Sequence, residues 1–187
     1  MTHLTIAQLE QGLSEIRRAP RDQGVLRMVV RRPAIGAREV LRAGQLDGAE
    51  GLVGDNWSTR GSRRTPDGRA HPLMQINIMG ARTIALIAGD ETRWPLAGDQ
   101  LFVDLDLSEE ALPAGSRLRI GDAVLEVTTE PHTGCHKFVS RFGVDAMKFV
   151  NSATGRKLRL RGLNARVISP GQVRPGDAVV RLPSRPE

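Results

Sequence analysis

Cys135 is the only cysteine of the chain, and it stands in the run Pro131-His132-Thr133-Gly134-Cys135-His136-Lys137. Gly134 lets the backbone bend and approach a ligand closely. His132, His136 and Lys137 are each able to stabilise a thiolate when they carry charge, and a thiolate can attack an electrophile or bind a metal. The competing reading is a buried, inert thiol, the common fate of a lone cysteine. The polar and basic neighbours argue against it. His132 and His136 are four positions apart, the separation of zinc ligands on a helix. Pro131 and Gly134 disfavour a helix there, however, and no second cysteine completes a familiar zinc set. A Cys-His-Asp nucleophile stays open as a third use of the same residues, without a local sequence signature for it.

The second chemical resource is arginine. The chain carries a net charge of +6, and Lys137, Lys148 and Lys157 are its only lysines. Guanidinium groups fork onto phosphate or carboxylate, so an anionic partner is expected, with a merely solvated surface as the alternative for any single arginine. Basic residues interleaved with aromatics, the pattern of nucleic-acid binding, are absent from the sequence. So are the glycine-rich phosphate loops GxGxxG and GxxxxGK[ST]. Asp55 follows Gly54 in a pair that by itself marks a turn.

These residues have to be positioned by a fold, and composition limits which. The 187 residues suit one domain plus a short arm. Aromatic residues make up 3% and tyrosine is absent, so Val, Leu, Ile and Ala must build the core, with Trp57 and Trp94 as landmarks. One cysteine excludes an internal disulfide and fits a reducing compartment. Residues 1–20 lack the apolar run of a signal peptide and no later stretch is long enough for a membrane span, which gives a cytoplasmic, membrane-free expectation.

Thr5-Ile6-Ala7-Gln8 has capping-box spacing, and Ile6, Leu9, Leu13 and Ile16 continue at helical intervals. One amphipathic helix is therefore expected over residues 5–18, ended by Ala19-Pro20. From Gly24 the period changes. Residues 25–30, 75–78, 101–105, 123–128, 165–168 and 178–182 read as short strands separated by Gly and Pro, which suggests a barrel or sandwich rather than alternating βαβ units. Residues 142–152 suit a helix through Val144, Met147, Lys148 and Phe149. Residues 57–71 and 130–138 read as site-forming loops.

The order of several motifs then carries a resemblance. Gly51-Leu52-Val53-Gly54-Asp55-Asn56-Trp57 is followed by Ala97-Gly98-Asp99-Gln100-Leu101, by Gly121-Asp122 ahead of a strand, by Gly134-Cys135-His136-Lys137-Phe138, and by Pro175-Gly176-Asp177 near the end. In this order they resemble the MOSC family, the molybdenum cofactor sulfurase C-terminal domain, from about Gly24 to Leu182. The resemblance implies a mainly β, barrel-like fold with a few peripheral helices. It divides the chain into a helical arm (1–22), the MOSC domain (23–183) and a tail (184–187). It also implies that Cys135 is the family's cysteine, which in related enzymes binds molybdenum or is proposed to carry sulfur. Without the extra barrel, the fused sulfurase domain or the helical extension of longer relatives, the chain resembles a small stand-alone member. Its Thr-Gly-Cys-His-Lys context departs from the Pro-Cys or Arg-Cys found elsewhere.

Three functional expectations compete. The leading one is a molybdenum-pterin cofactor held by Cys135 as metal ligand, with His132 and His136 as further catalytic candidates. Lys137, Arg141, Arg82, Arg60 and Asp55 are the candidates for cofactor binding. Such a protein would be a small oxidoreductase acting on an N-hydroxylated or similar small molecule with electrons from a redox partner. The second is a sulfur-transfer protein that takes a persulfide on Cys135 from a cysteine desulfurase, pyridoxal phosphate entering only through that partner. The third is a non-catalytic module binding a small anion through the loop at 57–71. No nucleic-acid or membrane partner is expected, and the oligomeric state is left open.

Overall fold

The computed structural model describes residues 3–183. Its strands are β1 (Gln23–Arg31), β2 (Glu39–Leu41), β3 (Gly44–Asp47), β4 (Gly51–Leu52), β5 (Ile76–Gly80), β6 (Leu101–Asp104), β7 (Arg117–Ile120), β8 (Ala123–Val127), β9 (Leu163–Ser169), β10 (Gly171–Val173) and β11 (Ala178–Arg181). Seven of them close on themselves in the order β1-β11-β7-β8-β9-β5-β6 and back to β1. Closure is possible because β1 is long enough to change partner along its length. Its first residues pair with β11 (Gly24 opposite Val179), its middle with β6 (Leu26 opposite Val103) and its end with β2 (Val30 opposite Val40). The described pairings within the barrel are antiparallel except β5 with β6, which run parallel with Ile78 opposite Leu101. β10, β3 and β4 form a separate small sheet.

Each barrel strand sorts its side chains by the two-residue period. Ile76, Ile78, Leu101, Val103, Leu118 and Leu125 point inward and pack with Leu26 and Val29 in the barrel interior. A register shift between Leu26 and Met28 lets Leu26 and Val29 share that face although they are three apart, as a bulge does. Met28, Val30, Met79 and Phe102 point outward, where helices cover them in a second apolar layer.

The helices are α1 (Ile6–Gln11), α2 (Leu13–Ile16), α3 (Trp57–Arg60), α4 (Ala81–Ala88), α5 (His136–Asn151) and α6 (Ala153–Lys157). The Thr5 hydroxyl accepts from Gln8 N and the Gln8 side chain accepts from Thr5 N at 2.9 Å, so the capping box is formed. The single arm helix expected from the spacing is broken in two at Gly12. A Cβ there would lie 2.4 Å from Leu86 Cδ2, so the arm passes close to the Leu86 side chain of α4 at a residue that is itself a poor helix former. Leu9 is fully buried in the second layer and Ile6 N donates to Asp145 of α5 at 3.1 Å, which fixes the arm onto the barrel.

The six strands expected from composition are present as β1, β5, β6, β8, β9 and β11. α4 has no counterpart in the sequence reading and makes β5-α4-β6 one βαβ unit, while the fold as a whole is the expected barrel rather than alternating βαβ units. α5 differs as well: it starts six residues before the expected helix and is interrupted at Gly143, whose φ of 88° is outside the helical range. Residues 184–187, read as a tail, lie outside the described residues. Among the described residues no helix is long and apolar enough to cross a membrane.

Candidate functional site

Cys135 is exposed and is the residue immediately before α5, with extended backbone (φ −122°, ψ 179°). Its carbonyl accepts from Phe138 N at 2.9 Å and Val139 N at 3.2 Å, so the helix begins on it. Pro131 and Gly134 do keep 131–134 out of a helix, and Gly134 is held from the far end of α5. Its N–H donates to Asn151 Oδ1 at 2.9 Å, and its carbonyl accepts from Asn151 Nδ2 at 3.0 Å. Phe138 and Phe142, ring centroids 4.9 Å apart, bury the inner face of this helix while His136 and Lys137 stay exposed.

Beside Cys135 opens a cleft of about 1330 Å³ between the loop after β1, the 57–71 loop, the Ala97-Gly98 turn and the start of α5. Two arginines are built into its floor. Arg32 donates from Nε and Nη2 to Asp55, each at 2.8 Å, and from Nη1 to Asn77 Oδ1 at 2.9 Å and Gly98 O at 2.8 Å. Arg161 donates from Nη1 to both Asp99 oxygens at 2.7 and 2.9 Å and from Nη2 to Ala97 O, with its guanidinium 5.0 Å from the Phe138 ring centroid. Asn77 Nδ2 donates to Asn164 Oδ1 at 2.6 Å and ties this floor to β9.

Around the rim lie Arg38, Arg60, Arg63, Lys137 and Arg141. Among the described residues none of these forms a salt bridge; Arg38 donates to the carbonyls of Ala37 and Pro95, and Arg141 to that of Leu96. Burial, followed by the charges of Arg141 and Arg32, lowers the Arg38 guanidinium from its ordinary value. Burial and then Arg32 do the same at Arg60. Guanidinium groups stay protonated under such shifts. Cations gathered so closely, with no carboxylate ion-paired to them among the described residues and Asp55 offsetting them only in part, make a site whose free energy falls when an anion enters.

As Pro131 and Gly134 lead one to expect, His132 and His136 do not share a helical face: His136 is on α5 at the rim, and His132 is in the preceding loop, largely buried in the cleft wall. The Nδ1 of His132 lies 3.4 Å from Asp99 Oδ1 and has no hydrogen-bond partner among the described residues. Burial above all, then the charges of Arg161, Arg32 and Arg60, hold the His132 imidazole well below the usual histidine range, so it is neutral and cannot serve as a cation beside a thiolate. Among the described residues no three carboxylate, thiol or imidazole groups cluster so as to hold a metal ion.

Asp55 does not line the cleft as a cofactor-binding residue would. Its carboxylate is buried and spent on Arg32 and on the N–H groups of Arg32 and Trp57 at 2.9 and 3.0 Å. It fixes a cleft residue instead. Arg82 is not in the cleft either. It sits on α4 with Nε 2.7 Å from Asp104 Oδ1 and Nη1 2.7 Å from Glu15 Oε1, and the hydrogen bond to Asp104 raises its pKa. Arg64 turns out of the cleft to Glu130 at 3.2 Å.

The structure brings Cys135, His136, Lys137, Arg141 and Arg60 to one cleft and adds Arg32, Arg38, Asn77 and Arg161, which sequence reasoning passed over. Asp99 belongs to the Gly98-Asp99 pair of the motif series, and its fully buried carboxylate beside Arg161 explains why a charge is needed there. Arg32 is marked only by preceding Pro33.

A model of the MOSC domain matches residues 67–180 of the chain. The crystal structure of the YuaD protein from Bacillus subtilis is similar with a TM-score of 0.64 at 19% identity, over 87% of this chain and 97% of that one. YiiM from Escherichia coli is similar with a TM-score of 0.55 at 17% identity, over 87% of this chain and 72% of that one. At such identities the likeness is one of fold. No curated protein sequence matches the chain.

Proposed function

The chain belongs to the MOSC domain family, and from that premise we propose that its arginine-rimmed cleft binds a molybdenum-pterin cofactor, with Cys135 as the thiolate ligand of the metal. The single observation that carries the reading is the pairing of an exposed thiol with rim cations that have no carboxylate partners, in one cleft. The residues present fit such a group. A thiolate is a soft ligand suited to a transition metal. Arg38, Arg60, Lys137 and Arg141 offer forked and point charges to a phosphate. A volume of about 1330 Å³ exceeds the roughly 300–1,000 Å³ of ordinary small-molecule pockets, leaving space for a substrate beside a cofactor.

When bound, the cofactor supplies the redox chemistry of its metal. The protein supplies placement. Asn151, through Gly134, fixes where Cys135 presents its sulfur. Asp55 and Asp99 hold Arg32 and Arg161 in one orientation each, so the polar floor needs no rearrangement when a ligand arrives. His132, held neutral by burial and by the neighbouring arginines, adds a polar group to the cleft wall with its Nδ1 3.4 Å from Asp99 Oδ1. The substrate class we assign is a small N-hydroxylated or similar compound, reduced with electrons from a partner protein.

The test is metal content. Protein purified from a host that makes the cofactor should contain molybdenum in near-stoichiometric amount. Cys135→Ser should lose most of it, and the double variant Arg38→Ala, Arg141→Ala should lose it too by weakening retention of the phosphate. Molybdenum absent from the wild type, or equal in all three proteins, would refute the proposal.

A second reading draws on the position of the sulfur at the rim, flanked by exposed His136 and Lys137. A thiol so placed is open to a partner protein. In this reading a desulfurase persulfide passes its outer sulfur to the Cys135 thiolate and leaves as a thiolate itself. A mass gain of one sulfur on Cys135 after incubation with desulfurase and free cysteine is the required result, and its absence removes the reading.

A further inference from the structure

A second cavity, of about 630 Å³, opens where the carboxyl ends of β5 and β6 meet the start of α4, and it shares no lining residue with the Cys135 cleft among the described residues. We propose that it binds a small molecule carrying an oxyanion head, carboxylate or phosphate, seated on the N-terminus of α4. The inference is independent of the function proposed for Cys135.

Topology places the site. β5 and β6 are parallel with Gly80 opposite Val103, and α4 crosses between them, so the first turn of the helix opens beside the carboxyl ends of two parallel strands. That is where βαβ units receive anionic ligands, because the unpaired N–H groups and the helix dipole point there. α4 is eight residues long, its N-cap is Gly80, and no side chain caps it.

Thr83 supplies the independent observation. It is 3% exposed and lines the cavity, yet its hydroxyl makes no hydrogen bond among the described residues. Although the residue is nearly buried, its hydroxyl oxygen is reachable from the cavity, and at a helix N-terminus it is placed to donate to an anion there. A Cβ added to Gly80 would meet Thr83 Oγ1 at 3.5 Å and Leu107 Cδ1 at 4.0 Å, so Gly80, Thr83 and Leu107 share one wall of the cavity.

The charges of the cavity leave room for an anion. Asp104 is taken up by Arg82 at 2.7 Å, and Asp106 and Glu110 by Arg21 at 3.4 and 2.5 Å. Arg17, Lys157 and Arg159 remain, with Glu109 as the carboxylate not so engaged. Arg159 has no ion pair; its guanidinium donates to the carbonyls of Leu107 and Leu112 at 3.5 and 2.5 Å. It is also the one non-glycine residue with positive φ (47°) among the described residues, a conformation that disfavours an L side chain. Ile16, Leu105 and Leu158 give the rest of the cavity an apolar wall, which suits a ligand with a hydrocarbon body behind its head.

The test is an amide NMR titration of the full chain with inorganic phosphate and, separately, with acetate. We expect saturable shifts at Ala81, Arg82 and Thr83 with at least one of them, the stronger response assigning the head group. Binding should weaken at least fivefold in Thr83→Val and in Arg159→Gln. Thr83→Val is isosteric and removes an unpaired hydroxyl, so without anion it should melt no lower than the wild type. The proposal is overturned by the absence of saturable shifts in α4 with both anions, by shifts confined to the cleft around Arg38 and Arg141, or by equal affinity in Thr83→Val. A lowered melting temperature for Thr83→Val would show the hydroxyl already paired and would overturn it too.

Discussion

Taking the protein from about pH 7 to about pH 5 should destabilise it through His132, and replacing that residue with glutamine should remove this part of the acid sensitivity. The imidazole is held neutral in the folded state by burial and by Arg161, Arg32 and Arg60, whereas in the unfolded chain it takes up a proton near pH 6.5. Because its folded pKa is depressed, its contribution is unchanged above the unfolded value and turns against folding as pH falls below it. The unfolded state then binds a proton that the folded state refuses, and stability falls by up to about 1.4 kcal/mol per pH unit. Integrated from pH 7 to pH 5, the loss is roughly 2 kcal/mol if the folded group remains neutral throughout. With a urea slope of about 1–3 kcal/mol/M, the midpoint should move by about 1 M. The assay is urea denaturation of the wild type and His132→Gln over that pH range. Their difference isolates His132 from other groups titrating there. Parallel pH dependences for the two proteins, or an NMR spectrum showing His132 protonated at neutral pH, would refute the reasoning.

Other consequences are measurable in the same way. Asp55→Asn leaves Arg32 charged and buried without its carboxylate and should cost about 3–5 kcal/mol in urea unfolding. Asn151→Ala removes both hydrogen bonds to Gly134; it should speed hydrogen exchange at the Gly134 amide and cost about 1–3 kcal/mol. Leu9→Ala empties a fully buried position under the arm and should lower stability by about 2–5 kcal/mol, read as a shifted midpoint with an unchanged slope.

The strands legible in the sequence are those dominated by β-branched and aliphatic residues, such as residues 25–30 and 123–127, each with a single charged residue, and together they suffice for a mainly β, barrel-like architecture. β7 escaped because Arg117 and Arg119 alternate with Leu118 and Ile120: the arginines face outward and halve its apolar signal. β3, β4 and β10 have two to four residues each, too few for a period to register. α4 is short and nearly all apolar, and its identity is decided by the parallel pairing it bridges rather than by local propensity.

The candidate site divides along the same line. Cys135, His136, Lys137 and Arg141 are neighbours in sequence, and one helix start is enough to gather them. Arg32 and Arg38 come from the loop after β1, Asp99 and Arg161 from two further segments, and only barrel closure brings the three to that helix. Nor can composition tell an arginine that meets carboxylates, as Arg82 does, from one that meets only carbonyl oxygens, as Arg38 does. That difference separates a structural cation from one available to a ligand.

The claim that Cys135 ligates molybdenum is tested most directly by X-ray absorption at the molybdenum edge, on protein loaded with the cofactor. The wild type should show a thiolate sulfur in the metal's first shell that is missing in Cys135→Ser loaded to equal metal content. Identical sulfur shells in the two proteins would contradict the account.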